Sequence, residues 1–415
     1  MTQKRPKETT SSSGRERQEA SSSRHSFVPP AREGSLLAKL IASHEIVIAC
    51  GPGGVGKTTT AAALGLMASL ADRGRVLVLT VDPAKRLASA LGLSGVGNEE
   101  HRVPDDVLWT AGLAPRGELW VAMLDTKESW DSLVHRYAPD EKTASRILAN
   151  PLYQNISGQF VQSHDYIAME RLYDIHLEGR YDLIVIDTPP SRNALDFLSA
   201  PQRMADFFSS RFLRWLVIPY RSRLLNIASR PFYQVADRVL GTQFLSDISE
   251  FFMLFQAMYE GFVQRAEAVK KLLKDDRTTF IVVSTLEPAP AREAELFVQE
   301  LSRRELDLGA VVLNKVLPSY LRDPHANKIA ERMRRDAPTL AAKLSLPVGY
   351  AEHADRVLTE VAESFSNFSI VAYREAAQKE GLGNYSDIIA SVPFFDTDIF
   401  DLAGLARLGE RLFDR

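Results

Sequence analysis

One cysteine stands among 415 residues. That excludes an intrachain disulfide and any cysteine-built zinc or iron–sulfur centre within a single chain, and it fits a reducing compartment. Long hydrophobic runs are missing as well. The longest, such as Ile46–Cys50 and Leu183–Ile186, are strand-sized and far below the ~20 residues of a membrane-spanning helix. Neither charge sign is in excess: 50 Lys+Arg face 53 Asp+Glu, a formal net charge of −3. This argues against a nucleic-acid binder that works through overall basicity. The eight histidines show no metal-ligand spacing, so no transition-metal site is expected. Basic residues near the N-terminus are not followed by an apolar stretch, so no secretory signal is expected either. These absences leave a cytoplasmic globular protein, with peripheral attachment to a membrane still open. The chain is long enough for about two to three average domains, or one large α/β domain with insertions.

Residues 1–34 read as a disordered tail. They contain Ser11–Ser13, Ser21–Ser23 and Pro29–Pro30 and almost no large apolar side chains, too few to offset the entropy of ordering. Order is expected from Ser35, where Leu36, Leu37, Leu40 and Ile41 recur at helical spacing. Short apolar runs then alternate with helical stretches. Strands are predicted at Ile46–Cys50, Val76–Val81, Leu119–Leu124, Leu183–Ile186, Phe280–Val283, Val311–Leu313 and Ile388–Val392. Near-continuous apolar strands separated by helices indicate a doubly wound, mostly parallel sheet covered on both faces. Between about Ala200 and Lys274 the strands stop and a helical insertion is expected. The division is therefore a first core segment over 35–199, an inserted helical subdomain over 200–275 and a second core segment over 276–415. A C-terminal amphipathic helix through Ile399, Leu402, Leu405, Leu408 and Leu412 should pack on the core.

Gly51-Pro52-Gly53-Gly54-Val55-Gly56-Lys57-Thr58 satisfies G-x-x-x-x-G-K-[ST], after an apolar strand and before an Ala-rich helix. Backbone N–H groups from Gly53 to Thr59 can turn inward around phosphates, and the helix N-terminus adds partial positive charge. Lys57 should reach the β- and γ-phosphates, and the Thr58 hydroxyl should ligate Mg²⁺. Asp82 and Asp187 each close an apolar strand, so their carboxylates belong at the ligand-binding edge of the sheet. One acid near Mg²⁺ and one polar group to position water are what nucleotide hydrolysis needs. Both aspartates could alternatively serve as helix caps. Asn314-Lys315 ends a further strand, and an Asn amide matches adenine N6 and N7. The acid that follows such a pair in guanine-reading enzymes is replaced by Leu317, which favours ATP over GTP. A plain turn role for Asn314 is the simpler alternative.

Taken in order, these motifs resemble the P-loop ATPases of the arsenite-pump (ArsA) and tail-anchored-protein-targeting family, within the wider class of MinD and the nitrogenase iron protein. The family loop G-K-G-G-V-G-K-T-T is similar to Gly51–Thr59. Its first switch, D-P-A-H, is similar to Asp82–Lys85, and its second, D-T-A-P-T-G-H, to Asp187–Asn193. The form D-T-P-P-S-R-N and the run Asp165–Glu170 resemble a bacterial branch of anion-transporting ATPases. The resemblance implies that Asp82 orients the hydrolytic water and that Asp187 supports Mg²⁺. It also implies that Asn314 and the Pro393–Phe394 segment flank adenine, and that subunits close as dimers around two ATP molecules, with a related subunit as an alternative partner. Three departures stand out. The family's early loop lysine, which reaches across the dimer, is Pro52, so Lys85, Arg86 or Arg192, or a heteromeric partner, would supply that cation. The family His of the second switch is Asn193. The arsenite-binding cysteines and the zinc-clamp C-x-x-C are absent, so neither arsenite activation nor a zinc-stapled dimer carries over.

The predicted insertion is unusual in composition. Residues 197–262 hold 14 of the 36 aromatics, and residues 201–240 carry seven Arg, no Lys and only Asp206 and Asp237. Met253 and Met258 bracket Phe255. Such a surface suits a hydrophobic client helix, an acidic partner or anionic lipid, and equally a bundle packed on the core. The function expected is a dimeric, Mg²⁺-dependent switch ATPase that handles a hydrophobic client or membrane partner. Two alternatives stay open: a low-turnover regulatory subunit of a heteromer, favoured by Pro52, and a MinD-like positioning ATPase.

Overall fold

The computed structural model describes residues 35–71, 74–81, 97–156, 163–188, 258–344 and 350–413, together with positions 91, 206, 247, 250, 251, 253 and 254. The expected tail, Asp82 and most of the expected insertion lie outside these residues.

All seven predicted strands are present: β1 (Ile46–Cys50), β2 (Arg75–Thr80), β4 (Glu118–Met123), β5 (Leu183–Asp187), β6 (Thr278–Ser284), β7 (Leu308–Val316) and β8 (Ile389–Pro393). An eighth, β3 (His101–Arg102), is a two-residue edge strand and the one antiparallel member of the sheet. The order is β3-β4-β2-β5-β1-β6-β7-β8. β1, β5 and β6 are buried along their whole length, which is why their sequences run apolar without alternation. β1 lies between β5 and β6 and parallel to both, so the chain leaves it toward one half of the sheet and returns to the other. The crevice beyond its carboxyl end is the switch point where open α/β sheets bind ligands.

One face of the sheet is covered by α1 (Leu36–Ser43), α2 (Lys57–Leu70) and, last in the chain, Leu402–Phe413. That last helix buries Leu402, Leu405, Leu408 and Leu412, as its spacing predicts, whereas Ile399, expected in the same helix, lies before its start and is half-buried. It packs so closely on α2 that a Cβ at Gly409 would run into the Met67 side chain. The other face carries α4 (Thr126–Tyr137) and α5 (Glu141–Ala149), which follow the short α3 (Asp105–Thr110). It also carries α6 (Pro151–Ile156), α7 (Ser163–Glu178), α8 (Tyr259–Leu273) and α9 (Pro288–Arg303). Trp130 on α4, Tyr166 on α7 and Phe262 on α8 meet with ring centroids 5.9–6.3 Å apart. Met258 is buried in the same cluster, so the described end of the 200–275 stretch packs on the sheet core. Trp109, by contrast, is 63% exposed.

A long helical pair follows β7: α10 (Pro324–Lys343) and α11 (Ala351–Gly383), with α12 denoting the final helix Leu402–Phe413. No described helix is long and apolar enough to cross a membrane.

Candidate nucleotide site

The phosphate loop begins where β1 ends. Gly51 sits at φ +139°, and a Cβ there would run into the Val283 carbonyl of β6, so glycine is required by both conformation and space. Gly53 and Gly54 are exposed, whereas Val55 is buried and anchors the loop to the core. Gly56 caps α2 at φ +97° and has no side chain to bond the helix's first N–H groups. Those groups stay oriented toward an incoming anion. Lys57 and Thr58 open the helix, and Thr59 follows, half-buried, on the same turn.

Lys57 is 6% exposed, and its Nζ donates to the Pro52 carbonyl at 2.9 Å. The ammonium therefore lies across the loop, already desolvated and held against a dipole that a phosphate can replace. The Thr58 hydroxyl donates to Asp187 Oδ2 at 2.6 Å, and the Thr80 hydroxyl donates to the same oxygen at 2.8 Å. Asp187 is fully buried at the end of β5. The next residue, Thr188, bonds the Ala49 carbonyl of β1 through both its N–H and its hydroxyl. Carboxylate and hydroxyl are hard oxygen donors, the set that Mg²⁺ selects. Thr58 and Asp187 thus fit a Mg²⁺ site, with the remaining positions left to water and phosphate oxygens. Among the described residues no three His, Cys, Asp or Glu side chains gather as a metal cluster. Cys50 lies just before the loop, buried. Burial raises its thiol's pKa well above the usual value, and the nearby Lys57 charge offsets this only in part.

Asn314 has a role that the motif alone did not reveal. Its Nδ2 donates to the Val55 carbonyl at 2.8 Å, and its Oδ1 accepts from Lys315 N at 2.9 Å. The side chain bridges the end of β7 to the phosphate loop, and Lys315 turns the strand at φ +58°. A Cβ at Gly56 would collide with this same Asn314 amide. Pro393, the last residue of β8, registers opposite Val316, and Phe394 N donates to the Val316 carbonyl at 3.0 Å with its ring 60% exposed. A cavity of about 560 Å³ opens there, lined by Leu286, Val316, Leu317, Glu375, Lys379 and Pro393, within the range of small-ligand pockets.

Of the predicted site residues, the structure therefore joins Lys57, Thr58 and Asp187 at one strand edge and ties Asn314 to the loop. Pro393 and Phe394 sit beside β7 at the end of β8, three strands from β1. Asp82, Lys85, Arg86, Arg192 and Asn193 lie outside the described residues. Thr80 was missed by sequence reasoning, although a polar residue inside the apolar run Val76–Val81 was a readable signal.

Residues 44–341 match the family model described as anion-transporting ATPase, well over half of the chain. Among curated relatives, an ATPase ASNA1 homologue of Entamoeba dispar is 26% identical over 270 residues, covering 65% of this chain and 75% of the relative. The ATPase GET3 of Lachancea thermotolerans is 25% identical, with 66% and 73% covered. The ATPase get3 of Schizosaccharomyces japonicus is 24% identical, with 82% and 90% covered. With a phosphate loop at the switch point of a parallel sheet and that match over most of its length, the chain belongs to the anion-transporting (ArsA-type) ATPase family and is a P-loop ATPase.

Proposed function

We propose that the chain is a Mg²⁺-dependent switch ATPase whose nucleotide cycle moves the segments after Asp82 and Asp187. The observation that carries this reading is the pair of hydroxyl donors, from Thr58 and Thr80, on a single buried Asp187 oxygen. Thr58 belongs to the phosphate loop, Thr80 leads into the first switch and Asp187 starts the second. A metal ion bound with ATP supplies charge neutralisation to the β- and γ-phosphates. Thr58, through its hydroxyl, and Asp187, through its carboxylate, are the residues that would hold that ion. Lys57 would hold the phosphates in place of the Pro52 carbonyl. Asp82 orients the attacking water, and adenine lies between Asn314 and Pro393. Departure of the γ-phosphate removes the partner that holds both switch segments.

Closure as a dimer around two nucleotides, and the handling of a hydrophobic client or membrane partner by the 200–275 segment, complete the proposal. The test is steady-state hydrolysis by the full chain over a Mg²⁺ titration. Wild type is expected to release phosphate from ATP in preference to GTP. Asp187→Asn is expected to lose at least about tenfold in rate, the equivalent of ~1.4 kcal/mol in the barrier. Equal rates in the two proteins would count against the proposal. One observation favours the regulatory-subunit reading: Pro52 offers only a carbonyl, and that carbonyl binds the chain's own Lys57. A wild type that binds Mg–ATP but turns over only when a second subunit is added would favour it.

A further inference from the structure

The cavity of about 560 Å³ beside Pro393 lies on the face of the sheet opposite the phosphate-loop helix. On β7, Val312 packs on the α2 side, whereas Val311, Leu313 and Val316 pack on the other, together with Leu286. On β8, Ala390 and Val392 pack on the α2 side, so Ser391 and Pro393 face away from it. Asn314 turns toward α2 instead, onto Val55 of the loop. The described residues that line the cavity include neither Asn314 nor any member of the phosphate loop. Its walls come from the ends of β6, β7 and β8 and from one side of α11, with Leu286, Val316, Leu317, Pro318, Ala372 and Ala376 as the apolar lining.

Glu375 of α11 stands half-buried among these groups, and its Oε2 accepts from Leu317 N at 2.9 Å. Among the described residues no cation lies within ion-pair distance of it. Lys379 sits one turn further along α11, the order and spacing at which Glu and Lys pair best on a helix. Its Nζ donates instead to Ser391 Oγ of β8 at 2.8 Å. Arg322 and Glu380 also line the cavity, but both are exposed to solvent. Burial raises the Glu375 pKa, the Leu317 N–H offsets this only in part, and the charge of Glu287 adds to the rise. The carboxylate is partly removed from water, with one N–H donor and no counter-ion.

We propose that this cavity is a second ligand site, for a small organic amine that carries a single ammonium group on an apolar body. The ammonium lies on Glu375, and the body lies against Leu286, Val316 and Ala376. A guest cation relieves the cost of a carboxylate held away from water, and the aliphatic walls select the rest of the molecule. A bare metal ion is a poor fit, since it needs more oxygen ligands than one carboxylate, and among the described residues no metal cluster forms. The cavity shares only Pro393 with the proposed position of adenine, so amine and nucleotide are expected to bind together.

Calorimetric titration of tryptamine into the full chain tests this, first without nucleotide and then with saturating Mg–ATP. The first titration stays readable even if the phosphate loop fails to bind ATP. One site per chain is expected in both, with Kd at or below about 1 mM. Tryptophol, which has the same indole body and a neutral hydroxyl in place of the ammonium, is expected to bind at least tenfold more weakly. Glu375→Gln keeps an oxygen for Leu317 N and removes the charge. It is expected to lose at least tenfold in tryptamine affinity and to erase the preference over tryptophol. Ala376→Leu fills the cavity, leaves Glu375 in place and is expected to abolish binding of both compounds, with thermal melts reporting whether each variant is folded. A wild type that does not bind tryptamine, or binds both compounds equally, would overturn the inference. So would folded Glu375→Gln and Ala376→Leu chains that keep wild-type affinity, or tryptamine that ATP displaces one for one.

Discussion

Asp187 gathers three strands' worth of information on one oxygen atom. Its Oδ2 accepts from Thr58, which comes from the loop after β1, and from Thr80, which ends β2. Hydrogen bonds to a charged acceptor contribute about 1.5–3 kcal/mol each. Thr80→Val keeps the shape and removes one of them. It is expected to raise the Mg²⁺ concentration needed for half-maximal nucleotide binding, with Thr80→Ser restoring it. Fluorescent-nucleotide titrations over Mg²⁺ would measure this, and an unchanged midpoint in Thr80→Val would deny Thr80 a positioning role. Asn314 acts in the same way on the loop itself. Asn314→Ala leaves the Val55 carbonyl without this donor, and a loss of about 1–3 kcal/mol in unfolding free energy is expected from denaturant melts. Nucleotide affinity should fall with it, because the loop loses its brace. The G-K-T signature and the two strand-end aspartates were legible in the sequence because their chemistry needs those residue types at fixed spacing. The roles of Thr80 and of Asn314 as a brace were not legible, since both depend on which strand lies next to which.

Among the elements, α7 carries a buried carboxylate. Glu170 is 2% exposed, accepts from the Tyr166 hydroxyl on its own helix at 2.5 Å and from Arg265 Nε on α8 at 2.7 Å. Arg265 also bonds Asp174 and lies over the Tyr173 ring, 4.0 Å from its centroid. This network fixes α8, the helix that returns from the 200–275 segment, to the helix that leads into β5 and Asp187. Removing one member of a buried ion pair strands the other, so Arg265→Met is expected to cost about 3–5 kcal/mol by denaturant unfolding. A cost below about 1 kcal/mol would show the network to be dispensable. Burial raises the Glu170 pKa, against the hydrogen bonds from Tyr166 and Arg265. The folded chain therefore holds this proton more tightly than the unfolded one. The associated stability is fully present below the unfolded carboxyl value of about 4.3 and is lost as pH rises through the folded value. Glu170→Gln should flatten that decline, and denaturant midpoints across the window would read it. An identical slope in both proteins would assign the pH dependence elsewhere. Seven strands could be read from continuous apolar runs, whereas His101–Arg102 could not, because a two-residue polar edge has no periodicity. The cavity at Glu375 was equally hidden: a Glu and a Lys four residues apart look the same in sequence whether they pair or not.

At the scale of the molecule, two halves of a parallel sheet meet at β1, and Lys57, Thr58 and Asp187 lie at that seam. The fold was the easiest property to read, since alternating apolar strands and helices with one phosphate loop leave few topologies. The proposed switch motion and the proposed client surface were the hardest to read, because they would depend on segments whose composition, rich in aromatics and arginine, suits several partners. Hydrolysis is expected to change how much apolar surface the protein shows. A hydrophobic dye should therefore give different emission with Mg–ATP and Mg–ADP, and equal emission would leave the 200–275 segment without a nucleotide-gated groove. The account rests most heavily on the grip of the loop on a triphosphate. Titration calorimetry of ATP into the full chain, with Mg²⁺ and then with the metal chelated, tests it directly. The prediction is a one-per-chain isotherm that weakens on chelation, and a further loss on the order of 100-fold, ~2.7 kcal/mol, in Lys57→Ala. A wild type that produces no heat of binding, or a Lys57→Ala isotherm that overlays it, would contradict the account.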